Sequence, residues 1–133
     1  MRIDLILLAV VTVYKSSTCG CCKEWVERMR TAGFTVQTVD VDNPGALQTI
    51  KRDHGITPQV ASCHTATVGG YVIEGHVPPE DVKKLLHDHP AGVTGLAVPG
   101  MPSGSPGMES GGPADHYDVL ALRAAGTTVY DHR

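Results

Sequence analysis

Ala9-Val10-Val11-Thr12-Val13-Tyr14-Lys15-Ser16-Ser17-Thr18-Cys19-Gly20-Cys21-Cys22 carries a strand, a loop and the start of a helix in one continuous run. Its first six residues are short and rich in β-branched side chains, which predicts a buried strand. Lys15 to Gly20 reads as a polar loop, and Ser17 or Thr18 is the expected cap of a helix starting in the cysteine cluster. Cys22, Trp25, Val26 and Met29 then recur at helical spacing, and Gly33 supplies a stop. A strand, a loop and a helix in this order set three thiols at a helix N-terminus.

Thr35 to Val41 predicts a second strand. Asn43-Pro44 is a capping residue followed by proline at the first helical position; Leu47, Ile50 and His54 trace one face of that helix, and Gly55 ends it. The proline of Thr57-Pro58, expected to follow a cis bond, precedes an apolar run from Val60 to Val68. Gly69-Gly70 joins that run to Tyr71-Val72-Ile73 as a β-hairpin. A third helix is expected from Pro79, with Glu80 and Asp81 at its start and Val82, Leu85 and Leu86 as its apolar stripe. Lys83, Lys84, His87 and His89 lie toward its end, before Pro90. The order β-α-β-α-β-β-α predicts an α/β, thioredoxin-like mixed sheet with flanking helices.

Residues 1–90 are thus the expected metal-binding core. Residues 91–133 are expected to be a Gly/Pro/Met loop and a C-terminal β-hairpin packed on the same domain. Gly92 to Pro113 reads as loop with no central strand, and Tyr117–Leu122 and Thr127–Tyr130 as strands around Ala124-Ala125-Gly126.

A chain of 133 residues has room for one domain, and its hydrophobic share of 41% suits a packed core. A net charge of −3, with no block of Lys and Arg, argues against nucleic acid or an anionic membrane surface as partner. The apolar segment Ile3 to Val11 is too short to span a membrane. It lacks the charged region and small-residue cleavage site of an export signal, so it is expected to run into the first strand.

Four cysteines and seven histidines carry the chemistry. Crowding three cysteines into four positions favours metal or redox chemistry over a disulfide framework. Thiolates form more readily at a helix N-terminus, where unpaired N–H groups and the helix dipole stabilise negative charge. Cys19 and Cys22 have the C-x-x-C redox spacing, whereas Cys19 and Cys21 form a C-x-C of the kind that shares a soft metal. Three thiolates this close repel one another until protons, a disulfide or a cation intervene. Thiolate softness suits copper(I), zinc or an iron–sulfur cluster.

Cys63 is the expected fourth ligand. His64 adjoins it, and in a regular strand the two would face opposite sides. The expectation is that Cys63 faces the cluster and His64 reaches it from a bend. His76 is an accessory candidate. Met101, in the Gly/Pro loop, is a candidate thioether ligand suited to copper(I) and poorly suited to zinc, while Met108 is expected to anchor the loop. His54, His87 and His89 read as solvated or core-edge residues, and His116 and His132 are unassigned. Three functions remain open on these residues: copper binding, thiol–disulfide exchange through Cys19 and Cys22, and a zinc site. Cys21 beside the redox pair argues against the second, and the two loop methionines argue against the third.

Four separated motifs also occur in order: Tyr14-Lys15-Ser16-Ser17-Thr18-Cys19-Gly20-Cys21-Cys22-Lys23, Ser62-Cys63-His64-Thr65-Ala66, Gly69 to Pro78, and Gly95 to Pro102 continued by Gly104 to Glu109. Over roughly Val11 to Tyr130 the sequence resembles the CopG-like copper-resistance proteins. That resemblance implies a thioredoxin-like fold and a multi-copper site on Cys19, Cys21, Cys22 and Cys63. It also implies a periplasmic role in bacterial copper resistance, in contact with other copper-handling proteins, with interconversion of copper(I) and copper(II).

Overall fold

The structure is a computed structural model and describes residues 9–133. The greater part of the apolar segment Ile3 to Val11 lies outside the described residues. Seven strands form a single mixed sheet: β1 (Val10–Lys15), β2 (Thr35–Asp40), β3 (Thr65–Val68), β4 (Tyr71–Glu74), β5 (Gly95–Ala97), β6 (Asp118–Arg123) and β7 (Gly126–His132). Their spatial order is β2-β1-β3-β4-β5-β6-β7. Three helices flank it: α1 (Gly20–Thr31), α2 (Pro44–Asp53) and α3 (Pro79–Asp88). Strands β1 and β2 are parallel across α1, while β3 runs antiparallel to β1 and pairs with β4 as a hairpin. The β-α-β-α-β-β-α order read from the sequence is therefore present.

Alternation along the strands divides the apolar residues between two faces. Val11, Val13, Ala66, Val68, Ile73 and Leu96 pack with Trp25, Val26 and Met29 of α1 and Val82, Leu85 and Leu86 of α3. A smaller cluster of Ile56, Val60, Val72, Ala97 and Leu122 lies apart. Val72 and Ile73, neighbours in β4, fall into different clusters, as a pleated strand requires. The expected face of α2 is weaker than its pattern suggested. No residue of that helix is buried, and His54 is its exposed C-cap. Asn43 caps its start by accepting from the Gly45 and Ala46 N–H groups.

Three local expectations need correction. The run from Val60 to Val68 is a strand only from Thr65, because Ser62 and its neighbours are tied to other elements instead of to a ladder. The Thr57–Pro58 peptide is trans. Within the supposed loop, Gly95–Ala97 forms β5, a buried strand lying between β4 and β6 and parallel to β4. Its glycine is a packing requirement, since a Cβ at Gly95 would run into the Val72 carbonyl. The C-terminal hairpin of β6 and β7 consequently extends the same sheet. Among the described residues, no helix is long and apolar enough to cross a membrane.

Candidate metal centre

The loop after β1 delivers Cys19 to the N-cap of α1, at φ −79° and ψ 101°, where its Sγ accepts from the Cys22 N–H at 3.3 Å. The expected hydroxyl cap is thus a sulfur. Ser17 instead braces the loop to Asp42, by its N–H at 2.9 Å and its Oγ at 2.8 Å, and the Thr18 and Ser16 hydroxyls pair at 3.0 Å. An N-cap acceptor carrying negative charge is favoured by the helix dipole, so this position suits a thiolate. In the structure Cys19 and Cys22 are joined by a disulfide, with Cα atoms 5.4 Å apart, while Cys21 and Cys63 are free thiols.

Cys21 is the hub of the sulfur group. Its Sγ lies 3.4 Å from Cys19 Sγ, 4.0 Å from Cys63 Sγ and 3.9 Å from Met101 Sδ. Met101 is exposed at 52%, so its thioether lies on the solvent side of the sulfur group. Met108 stands elsewhere in the same loop, where its backbone closes two turns with Gly104 and Ser105.

Cys63 and His64 precede β3, so the alternation that would have sent them to opposite faces does not apply. His64 Nδ1 lies 3.3 Å from Cys63 Sγ, and His76 Nε2 lies 3.1 Å from the same sulfur. His76, an accessory candidate on sequence, is fully buried and directly beside Cys63. Its other nitrogen, Nδ1, lies 2.6 Å from the Pro106 carbonyl and must donate to it. That bond fixes the tautomer and leaves the Nε2 lone pair aimed at the sulfur. The signal was present in the hairpin register. Thr65 pairs with Glu74, and continuing the same pairing past the strand ends sets Cys63 opposite His76.

His64 stacks on Trp25, with ring centroids 4.6 Å apart, and meets His76 edge-on at 5.1 Å. Its Nε2 is buried with no hydrogen-bond partner. Burial holds the His64 imidazole well below the ordinary histidine range, assisted by His76 and Lys51, and burial lowers His76 as well. Both rings are therefore neutral near pH 7, the form that ligates a metal. Burial, and secondarily Cys21, pushes the Cys63 thiol up to about 12. A bound cation would reverse that penalty by stabilising the thiolate.

Two donor sets result. Cys19, Cys21, Cys22 and Cys63 form one; Cys63, His64 and His76 form the other, and within each set all ligand atoms lie within 4.8 Å of one another. Cys63 belongs to both, and a thiolate sulfur can bridge two metal ions. With the disulfide closed, the first set offers two thiols; two-electron reduction makes all four available. His87, His89, His116 and His132 are exposed and belong to neither set.

The profile of a family described as "Protein of unknown function, DUF411" matches residues 60–108, which include Cys63, His64, His76 and Met101. No curated protein matches significantly. Two solved structures are similar over nearly the whole chain. One, titled "Copper resistance protein copG- Form 1", is 37% identical, with a TM-score of 0.85, and the match covers 93% of this chain and 96% of that one. The other, "Copper resistance protein copG- Form 2", is 38% identical at the same TM-score of 0.85, covering 94% of this chain and 98% of that one. At that identity and coverage, the chain belongs to the CopG family of copper resistance proteins.

Proposed function

We propose that this protein binds copper in bacterial copper resistance, holding more than one copper(I) ion on Cys19, Cys21, Cys22 and Cys63. His64, His76 and Met101 complete the donor set. The observation that carries the proposal is the position of Cys63, shared between a four-sulfur group and a Cys–His–His group. Thiolate, thioether and neutral imidazole together suit copper(I). Met101 at 3.9 Å from Cys21 favours copper over zinc, which takes thioether poorly. The relatives named copper resistance proteins support the same metal. The protein would act in the periplasm, exchanging copper with other copper-handling proteins.

Redox conversion of the metal follows from the cysteine pair. Opening the Cys19–Cys22 disulfide takes two electrons and yields two thiolates. Two copper(I) ions can supply those electrons and become copper(II). In the reverse direction, two copper(II) ions oxidise the two thiolates to the disulfide and become copper(I), so atoms and charge balance either way.

A second reading is favoured by one observation, the disulfide itself: Cys19 and Cys22 could serve thiol–disulfide exchange with no metal. Metal analysis and copper(I) titration of anaerobically reduced protein separate the two. Copper binding predicts more than one ion per chain, reduced in Cys21→Ser. Negligible uptake together with ordinary disulfide reductase activity would leave the second reading standing.

A further inference from the structure

Three consecutive residues at the end of β4 hold the segment that carries Cys63 and His64. Glu74 is fully buried. Its Oε2 accepts from the Ser62 N–H at 2.8 Å and from Lys51 Nζ at 2.5 Å, and its Oε1 accepts from Thr65 Oγ1 at 2.5 Å. Ser62 and Thr65 are the residues on either side of the Cys63–His64 pair. Next in the chain, the Gly75 N–H donates to the His64 carbonyl at 3.1 Å. Gly75 has φ +77°, and a Cβ there would lie 2.6 Å from Ser62 Cβ, so only glycine permits this approach. The third residue, His76, presents Nε2 to Cys63 Sγ.

Glu74 itself touches none of the candidate ligand atoms. A carboxylate in an apolar core is costly unless it is paired and fully hydrogen-bonded. Here its bonds go to Lys51, which also donates to Thr65 Oγ1 at 3.0 Å, and to the two residues flanking the ligand pair. Lys51 comes from α2, which buries no residue of its own, so the pair is a polar tie between that helix and the site.

We propose that Glu74, with Lys51 as its counter-ion, is a positioning residue that fixes Cys63 and His64 in the geometry of the metal site. An unsupported loop would let the Cys63 sulfur drift away from the other donors that would share a metal with it. Three directional bonds prevent that, whereas an apolar side chain of similar size would fill the space without orienting Ser62 or Thr65. The link to copper rests on the function proposed above, but the positioning itself can be read without metal.

The test uses the full chain with its disulfide intact, alkylated by iodoacetamide and followed by peptide mass spectrometry, which gives separate rates for Cys21 and Cys63. Cys21 sits on α1, to which Glu74 forms no hydrogen bond, and serves as internal reference. Two variants are compared with the parent: Glu74→Gln, and Lys51→Met, which removes the counter-ion of Glu74 and the bond to Thr65 but leaves the Glu74 bonds to Ser62 and Thr65 in place. The expected result in both is Cys63 alkylation faster by about fivefold or more, with Cys21 within about twofold, as a locally released segment requires. Copper(I) release from loaded protein to a chelator accelerates by about tenfold. Cys63 unchanged in Lys51→Met, or both thiols accelerating together, overturns the proposal, the latter because it marks general loosening. Should the parent protein take up no copper while the selective change at Cys63 persists, the positioning stands and the copper reading falls.

Discussion

Cys63 Sγ and His76 Nε2 stand 3.1 Å apart across the open end of the β3–β4 hairpin, where strand register makes the two residues partners. Every other donor is within reach of this pair or of Cys21. The hairpin supplies one half of the site and the start of α1 the other half.

Replacing His76 by alanine removes one of three donors from the smaller set and frees the Pro106 carbonyl. Copper(I) affinity in chelator competition is expected to fall by about tenfold or more, with the four thiols still titrating after reduction. An unchanged affinity would remove His76 from the site.

Gly107 takes φ +89°, and a Cβ there would lie 2.8 Å from the Cys21 carbonyl, 2.9 Å from the Trp25 nitrogen and 3.0 Å from His76 Nδ1. Gly107→Ala must push the loop away and break the His76–Pro106 bond. The expected cost is about 1–3 kcal/mol in unfolding free energy, measured by urea titration, with weaker copper binding. Gly111, at φ +79° with nothing near its Cβ direction, gives a control that carries backbone strain alone.

The metal-free, disulfide-intact protein has a predictable pH dependence. Burial depresses His64 and His76 below their ordinary 6.5, so their contribution is present above pH 6.5 and is lost as pH falls through the folded values. Cys63 is raised from 9.0 to about 12, so its contribution is present below pH 9 and is lost as pH rises toward 12. Asp81, raised from 3.8 to about 6 by burial first, opposes the histidines between those two values. Two histidines against one carboxylate leave a net fall in stability on acidification from pH 7 to 5. The limiting slope is about 1.4 kcal/mol per pH unit for each net proton. Denaturant midpoints across this range test the sign, and Asp81→Asn should steepen the acid limb.

Trp25 is the sole tryptophan, and its ring lies 4.6 Å from that of His64. Copper bound by His64 should quench its fluorescence in step with occupancy. Quenching that requires prior reduction of the disulfide would tie the histidine half of the site to the sulfur half.

Much of this arrangement was legible in the sequence. Periodicity located the three helices, and Gly69-Gly70 located the hairpin that carries half of the site. Cys19, Cys21, Cys22, Cys63, His64 and Met101 do come together in the fold. What escaped was long-range. Gly95 looked like a loop residue because its strand role depends on how closely the Val72 backbone approaches. The cap fell to Cys19 in place of a hydroxyl because Ser17 is drawn to Asp42, 25 residues away. His76 meets Cys63 because both residues lie just beyond the strand ends, where the hairpin register, not strand alternation, sets which residues face each other.

If one sulfur, Cys63, serves both donor sets, copper(I) titration of anaerobically reduced protein reveals it. The expected result is more than one copper per chain, with Cys63→Ser losing more copper than either Cys19→Ser or His76→Ala. A single copper or none, or a Cys63→Ser variant that binds as much as the parent protein, would contradict it.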